Sequence, residues 1–125
     1  MSCCKYNNLG GHYEKQVSFQ PVLKITHKST ANLPTGRFVG FNGALCAAGG
    51  KSLGVTDKSW ASGKNISVVV LGTAAVESVG NIAVGDALSS DAQGRAVVAG
   101  SGAAINARAL ESTTNGGIIK VLLVP

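Results

Sequence analysis

Apolar runs of four to eight residues, each closed by a cluster of Gly, Asn, Asp or Ser, recur from Ile66 to Pro125. Ile66–Leu71 is a continuous apolar run, the pattern of a strand buried on both faces. Gly72 marks a bend or bulge before a second run, Ala74–Val79. Val84–Leu88 leads into Ser89-Ser90 and the tetrad Asp91-Ala92-Gln93-Gly94, with the Asp-first, Gly-last order of a type I turn. Arg95–Ala99 is its return strand. Ile105–Ser112 predicts another strand, Asn115-Gly116-Gly117 a hairpin turn, and Ile118–Val124 a final apolar strand. No segment carries a helical stripe over three turns.

The N-terminal portion is patterned differently. Residues 1–16 are polar around Gly10-Gly11 and read as an extended arm. Val17–Phe19 and Val22–Thr26 read as short strands interrupted by Pro21, which cannot donate to a ladder and belongs at an edge or a break. Ser29–Gly36 is a loop by composition. From Arg37 the body begins, with Asn42-Gly43 between two apolar runs as a hairpin signal. Gly49-Gly50 is the next turn, and Leu53–Thr56 a short strand. Asp57–Asn65 is a polar loop holding the single tryptophan, Trp60, which either folds back onto the core or is offered to a partner. The expectation is an all-β fold, a small barrel or sandwich of about nine to eleven short, mostly antiparallel strands. Residues 1–36 form a basic N-terminal arm with short edge strands, and 37–125 a β-rich body.

Composition sharpens this picture. The 125 residues include 17 Gly, yet only 14% are charged and 5% aromatic. So few charges suit a domain that hides its surface in a core or against other subunits. No apolar run approaches the roughly 20 residues of a membrane-spanning helix. The first 16 residues lack the apolar stretch of a signal peptide, so synthesis in a cytoplasm is expected. Net charge is +5, and it is unevenly placed. Lys5, Lys15, Lys24, Lys28 and Arg37 face only Glu14 in residues 1–37, whereas the remainder is nearly balanced. That asymmetry reads either as an arm that touches an acidic partner, nucleic acid or an acidic protein surface, or as a merely solvated face. The cations are too sparse for a nucleic-acid binder.

Reactive constellations are missing. Gly49-Gly50-Lys51-Ser52 lacks the glycine a phosphate loop needs at position 45, which is Leu45. Neither a dinucleotide-binding glycine pattern nor a nucleophile elbow is present. His12 and His27 have no evident partner for general-base work. Asp86 and Asp91 read as turn residues, and the Asn65-Ile66-Ser67 acceptor triplet has no secretory signal beside it. Cys3, Cys4 and Cys46 are an odd number and argue for free thiols over a disulfide framework. Cys3-Cys4 with His12 falls one ligand short of a metal site. No enzyme, metal or cofactor is expected.

Taken in order, Gly36-Arg37-Phe38-Val39, Ala44–Ala48, Leu53-Gly54-Val55, Val68-Val69-Val70, Ala83–Val97, Ala107–Ser112 and Ile118–Leu123 form a recognisable series. It resembles the small capsid decoration, or structural cement, proteins of tailed bacteriophages and prophages. The resemblance covers roughly Thr35 to Pro125. Its most specific parts are Val84-Gly85-Asp86 followed by Ser90–Arg95, and Ala107–Glu111. It implies a β-barrel-like body that forms a homotrimer outside an icosahedral head and bridges major capsid protein subunits. Such a protein needs no cofactor, no membrane and no nucleic acid, and resides on the virion's outer capsid surface. Combined with the charge pattern, the capsid-contact candidates are Lys5, Lys15, Lys24, Lys28, Arg37 and Trp60. The alternatives are another phage β module, a head fibre base or tail component, or a small nucleic-acid-binding barrel. The last is disfavoured by the scarcity of aromatic stacking groups.

Overall fold

One strand, β4 (Asn65–Ser78), runs through both halves of the fold. The computed structural model of the protein describes residues 20–124, and all regular elements among them are strands. The others are β1 (Pro21–Lys28), β2 (Phe38–Val39), β3 (Gly54–Thr56), β5 (Ala87–Ser90), β6 (Ala96–Val98), β7 (Ala107–Ala109) and β8 (Gly117–Leu123). The expected arm, the run Val17–Phe19, and Cys3, Cys4, Lys5, His12 and Lys15 lie outside the described residues.

The first half of β4 builds a side sheet. It pairs antiparallel with β1, from Pro21 opposite Gly72 to Lys28 opposite Asn65. It also pairs with β3 at Val69 and Val68, and β3 carries β2. The second half closes a barrel. Thr73–Ser78 pairs antiparallel with β8, and Ser78 meets Ala96 of β6 in a parallel bridge. β6 pairs β5, β5 pairs β7, and β7 pairs β8, so five strands form a ring.

Gly72 is the joint between the halves. Its φ is +102°, and a Cβ there would stand 2.5 Å from the Gln20 carbonyl oxygen and 2.6 Å from the Val22 nitrogen. The β1–β4 register slips on both sides of Leu23, opposite this point. Strict alternation would send residues 69 and 74 to opposite faces. Instead Val69, Ala74 and Val76 share one core. A bulge inserts the extra residue that permits this.

That core fills the barrel and its junction with the sheet. Ala74, Ala96, Ala107 and Ala109 line it beside Val76, Leu88, Ile119 and Val121. A ring of five strands encloses a narrow lumen, because barrel diameter grows with strand number. Alanine and valine suit that narrow space, and Phe38 is the one aromatic ring in the same core. A second core packs Leu33, Val39, Ile66 and Val68 under the opposite face of β4, with Trp60 and Ile25 against it. Val68 and Val69 are therefore buried on opposite faces, as the continuous run Ile66–Leu71 implied.

The all-β barrel is the expected fold, with eight strands among the described residues. Ile66–Leu71 and Ala74–Val79 are parts of one bent strand. Pro21 opens β1 and does not interrupt it, so Val22–Thr26 extends to Lys28 as an edge strand of the side sheet. Val84 sits in a turn closed by the Asp86 amide donating to the Ala83 carbonyl at 3.1 Å. The Asp91 turn forms as read. Its Oδ1 accepts from the Gln93 and Arg95 amides, and the Gly94 amide donates to the Asp91 carbonyl at 3.1 Å.

Candidate assembly surfaces

Two surfaces carry chemistry suited to contact. The first is an apolar groove of about 440 Å3 where the side sheet meets the barrel end. Leu23, Phe41, Leu53, Val70, Leu71 and Leu123 supply its walls. Phe41 is 63% exposed and Leu23 48%, so both offer large apolar area to solvent. Burying such area is worth roughly 25 cal/mol per Å2. Asn106, 1% exposed, fixes the floor. Its Oδ1 accepts from the Ser52 amide and its Nδ2 donates to the Gly50 carbonyl, both at 3.0 Å.

Lys51 is the charged residue of the groove. Its Nζ donates to the carbonyls of Ile105 at 2.9 Å and Val124 at 2.6 Å, which ties the end of β8 down. Partial burial pushes the ammonium below its ordinary range, against a weaker pull from Cys46. Burial raises the Cys46 thiol, and the Ser90 hydroxyl and Lys51 oppose that. A raised thiol is a poor nucleophile, in keeping with a small core residue.

The second surface is the tip of the side sheet farthest from Gly72. The loop Asp57–Lys64 lies there, and residues 61–64 are all exposed. It is pinned from beneath. Leu33 and Trp60 exchange two backbone hydrogen bonds of 2.8 Å. The buried Ser29 hydroxyl donates to the Ala61 carbonyl at 2.7 Å and accepts from the Lys64 amide at 3.0 Å. The Ser62 amide donates to Asn32 Oδ1 at 3.0 Å.

The contact candidates separate by environment. Lys24 pairs with Asp57 at 2.7 Å, and Arg37 pairs with Glu77 at 3.0 Å while donating to the Gln93 carbonyl. Arg37 thus clamps side sheet to barrel. Trp60 takes the inward of its two readings: its ring packs on the second core, and its Nε1 is buried without a partner. Lys28 is exposed at the tip and makes no ion pair among the described residues. Lys58 and Lys64, also exposed at the tip, were not singled out from the sequence. Their position within Asp57–Asn65 is the available signal, but the larger charge excess of the N-terminal third outweighs it. The groove has no such signal, since its walls come from five separate stretches.

Among the described residues no three His, Cys, Asp or Glu side chains gather as metal ligands. The described residues thus form a small barrel with a side sheet, an apolar groove and a pinned polar tip. Residues 17–123 match the family described as phage cement protein, and the chain belongs to that family. It is a phage structural protein, and the family implies a role in building a particle. Among solved structures it is similar to the head fiber gp8.5 N base of bacteriophage phi29. The TM-score is 0.67 at 19% identity, over 82% of this chain and 93% of that one. At that identity the likeness is one of fold. No curated protein matches the chain.

Proposed function

We propose that this protein binds the outer surface of a tailed-phage capsid as a trimer and stabilises the head. The observation that carries the reading is the family match across residues 17–123. The physical case is consistent with it. A cement protein needs one surface to close a ring of copies and another for the shell. The apolar groove suits the first. Trimerisation multiplies each weak contact through effective concentration. Binding the assembled shell better than its dissociated subunits then stabilises the shell by mass action. The partner is the major capsid protein, and synthesis takes place in the host cytoplasm before decoration.

Light scattering coupled to size exclusion tests the trimer, and a monomer at high concentration overturns it. Residues 1–19, with Lys5 and Lys15, are the proposed arm across the capsid. Because β1 pairs with β4 at seven positions, a deletion aimed at the arm must end before Gln20. The shortened chain should fold, trimerise and hold to heads less firmly.

A head fibre base is the second reading, favoured by the shared fold with the phi29 protein. Electron microscopy of the virion separates the two: compact protrusions near threefold positions, or a fibre rising from the same barrel.

A further inference from the structure

The charge asymmetry follows the architecture more closely than the sequence. Residues 20–72, the side sheet with its loops, carry Lys24, Lys28, Arg37, Lys51, Lys58 and Lys64 against Asp57 alone. Residues 73–124, the barrel, carry Arg95, Arg108 and Lys120 against Glu77, Asp86, Asp91 and Glu111. The division falls at Gly72, so the near-neutral barrel and the cationic sheet are successive halves of one fold on one strand.

Three of the six sheet cations are occupied within the fold: Lys24 by Asp57, Arg37 by Glu77, and Lys51 by two carbonyls. The other three, Lys28, Lys58 and Lys64, are exposed and make no ion pair among the described residues. They flank one end of the sheet. Lys28 faces Asn65 across the β1–β4 ladder, and the Ser29 amide donates to the Lys64 carbonyl at 2.8 Å. Lys58 rises from the same loop, two residues before the Trp60 bridge to Leu33.

We propose that this lysine tip is the docking surface for an acidic face of a partner protein. The inference rests on the head-binding reading and names the part of the molecule that meets the shell. The loop's construction is the second support. A nearly solvent-covered polar loop is held by backbone bonds to Leu33 and by side chains of Ser29 and Asn32. It is therefore ordered before any partner arrives, which lowers the entropy lost on docking. Sparse lysines on a rigid frame steer an acidic protein surface. Nucleic acid is the poorer fit. Among the described residues Phe41 is the one well-exposed aromatic ring, and the tip, Lys28 with Asp57–Lys64, carries no arginine for a bidentate phosphate contact.

The test uses the full-length chain and purified heads assembled without it. Wild type should co-sediment with heads, and its binding should weaken as salt is raised. Lys28→Gln/Lys58→Gln/Lys64→Gln should bind at least about tenfold more weakly, and the triple Glu variant should not bind at all. Each variant is checked for wild-type unfolding midpoint and size-exclusion volume, which separates docking from folding and assembly. Heads that take up the triple Glu variant as well as wild type overturn the lysine tip and leave the head-binding reading intact. Heads that refuse wild type overturn that reading and the tip with it. A duplex DNA fragment that competes wild type off the heads, or is held by the same three lysines more tightly than heads are, overturns the assignment to an acidic protein.

Discussion

The Asp57 carboxylate lies 2.7 Å from the Lys24 ammonium, and this contact cancels the one acid of the described side sheet. The two partners are unequal. The Asp57 side chain is 9% exposed and that of Lys24 44%. Removing the lysine leaves a buried carboxylate without its counter-charge, whereas Asp57→Asn releases a lysine already half in water. Lys24→Met should therefore cost about 1–2 kcal/mol, after discounting for the exposed partner, and Asp57→Asn no more than about 1. Urea unfolding of both variants measures this, and the reverse order contradicts it.

Gly72→Ala should be among the most damaging single-methyl changes in the chain. The left-handed conformation at φ +102° costs an L-residue roughly 1–2 kcal/mol. The new methyl would also press on the Gln20 carbonyl and the Val22 amide, both backbone atoms that yield little. A loss of about 2–4 kcal/mol is expected in denaturant titration. A change below 1 would mean that β1 lifts away from β4 at little cost.

Asn106→Ala should cost about 1–3 kcal/mol, because it strands the Ser52 amide in a buried setting and leaves the Gly50 carbonyl only the weak Cys46 thiol donor. Since the amide forms the groove floor, the variant should also weaken self-association. Sedimentation velocity across a concentration series reads that effect separately from stability.

Cys46 gives a pH signature. Its thiol is raised by burial in the folded chain, so above the ordinary thiol range the unfolded chain ionises first. Fewer protons on the unfolded state means stability falls as pH rises. The contribution is fully present below the unfolded thiol value, about 8.5, and is lost through the alkaline window above it. Lys51, lowered by burial, acts in the opposite sense in that window. Comparing wild type with Cys46→Ala isolates the thiol, and the variant should lose less stability between neutral pH and pH ~10. In a Cys3→Ser/Cys4→Ser background, thiol reagents should modify Cys46 only after unfolding.

The barrel was legible because its turns carry local chemistry. Asp91 with Gly94, and Asn42 with Gly43, announce chain reversals in their own side chains and backbone, and each forms where it was read. Gly72 was legible as a break but not as a joint between two halves. That required the partner strands, which lie about fifty residues away on each side. Val84 looked like strand and is turn, because the Asp86 carboxylate accepts the Ala83 amide and holds the chain in a tight reversal. Surface roles were least legible. Lys24 and Arg37 resemble Lys28 in sequence, yet each meets an acid 33 or 40 residues distant. The inward turn of Trp60 depends on Leu33, whose position follows from the folding of the preceding loop.

β4 passes from sheet to barrel without a linker, and its ladders with β1 and β8 lie perpendicular to its length. Tension applied at the lysine tip would thus load both ladders in shear, with many hydrogen bonds resisting at once. A protein fastened at one end and stressed at the other would part only by sliding whole strands past each other, not by peeling them open bond by bond.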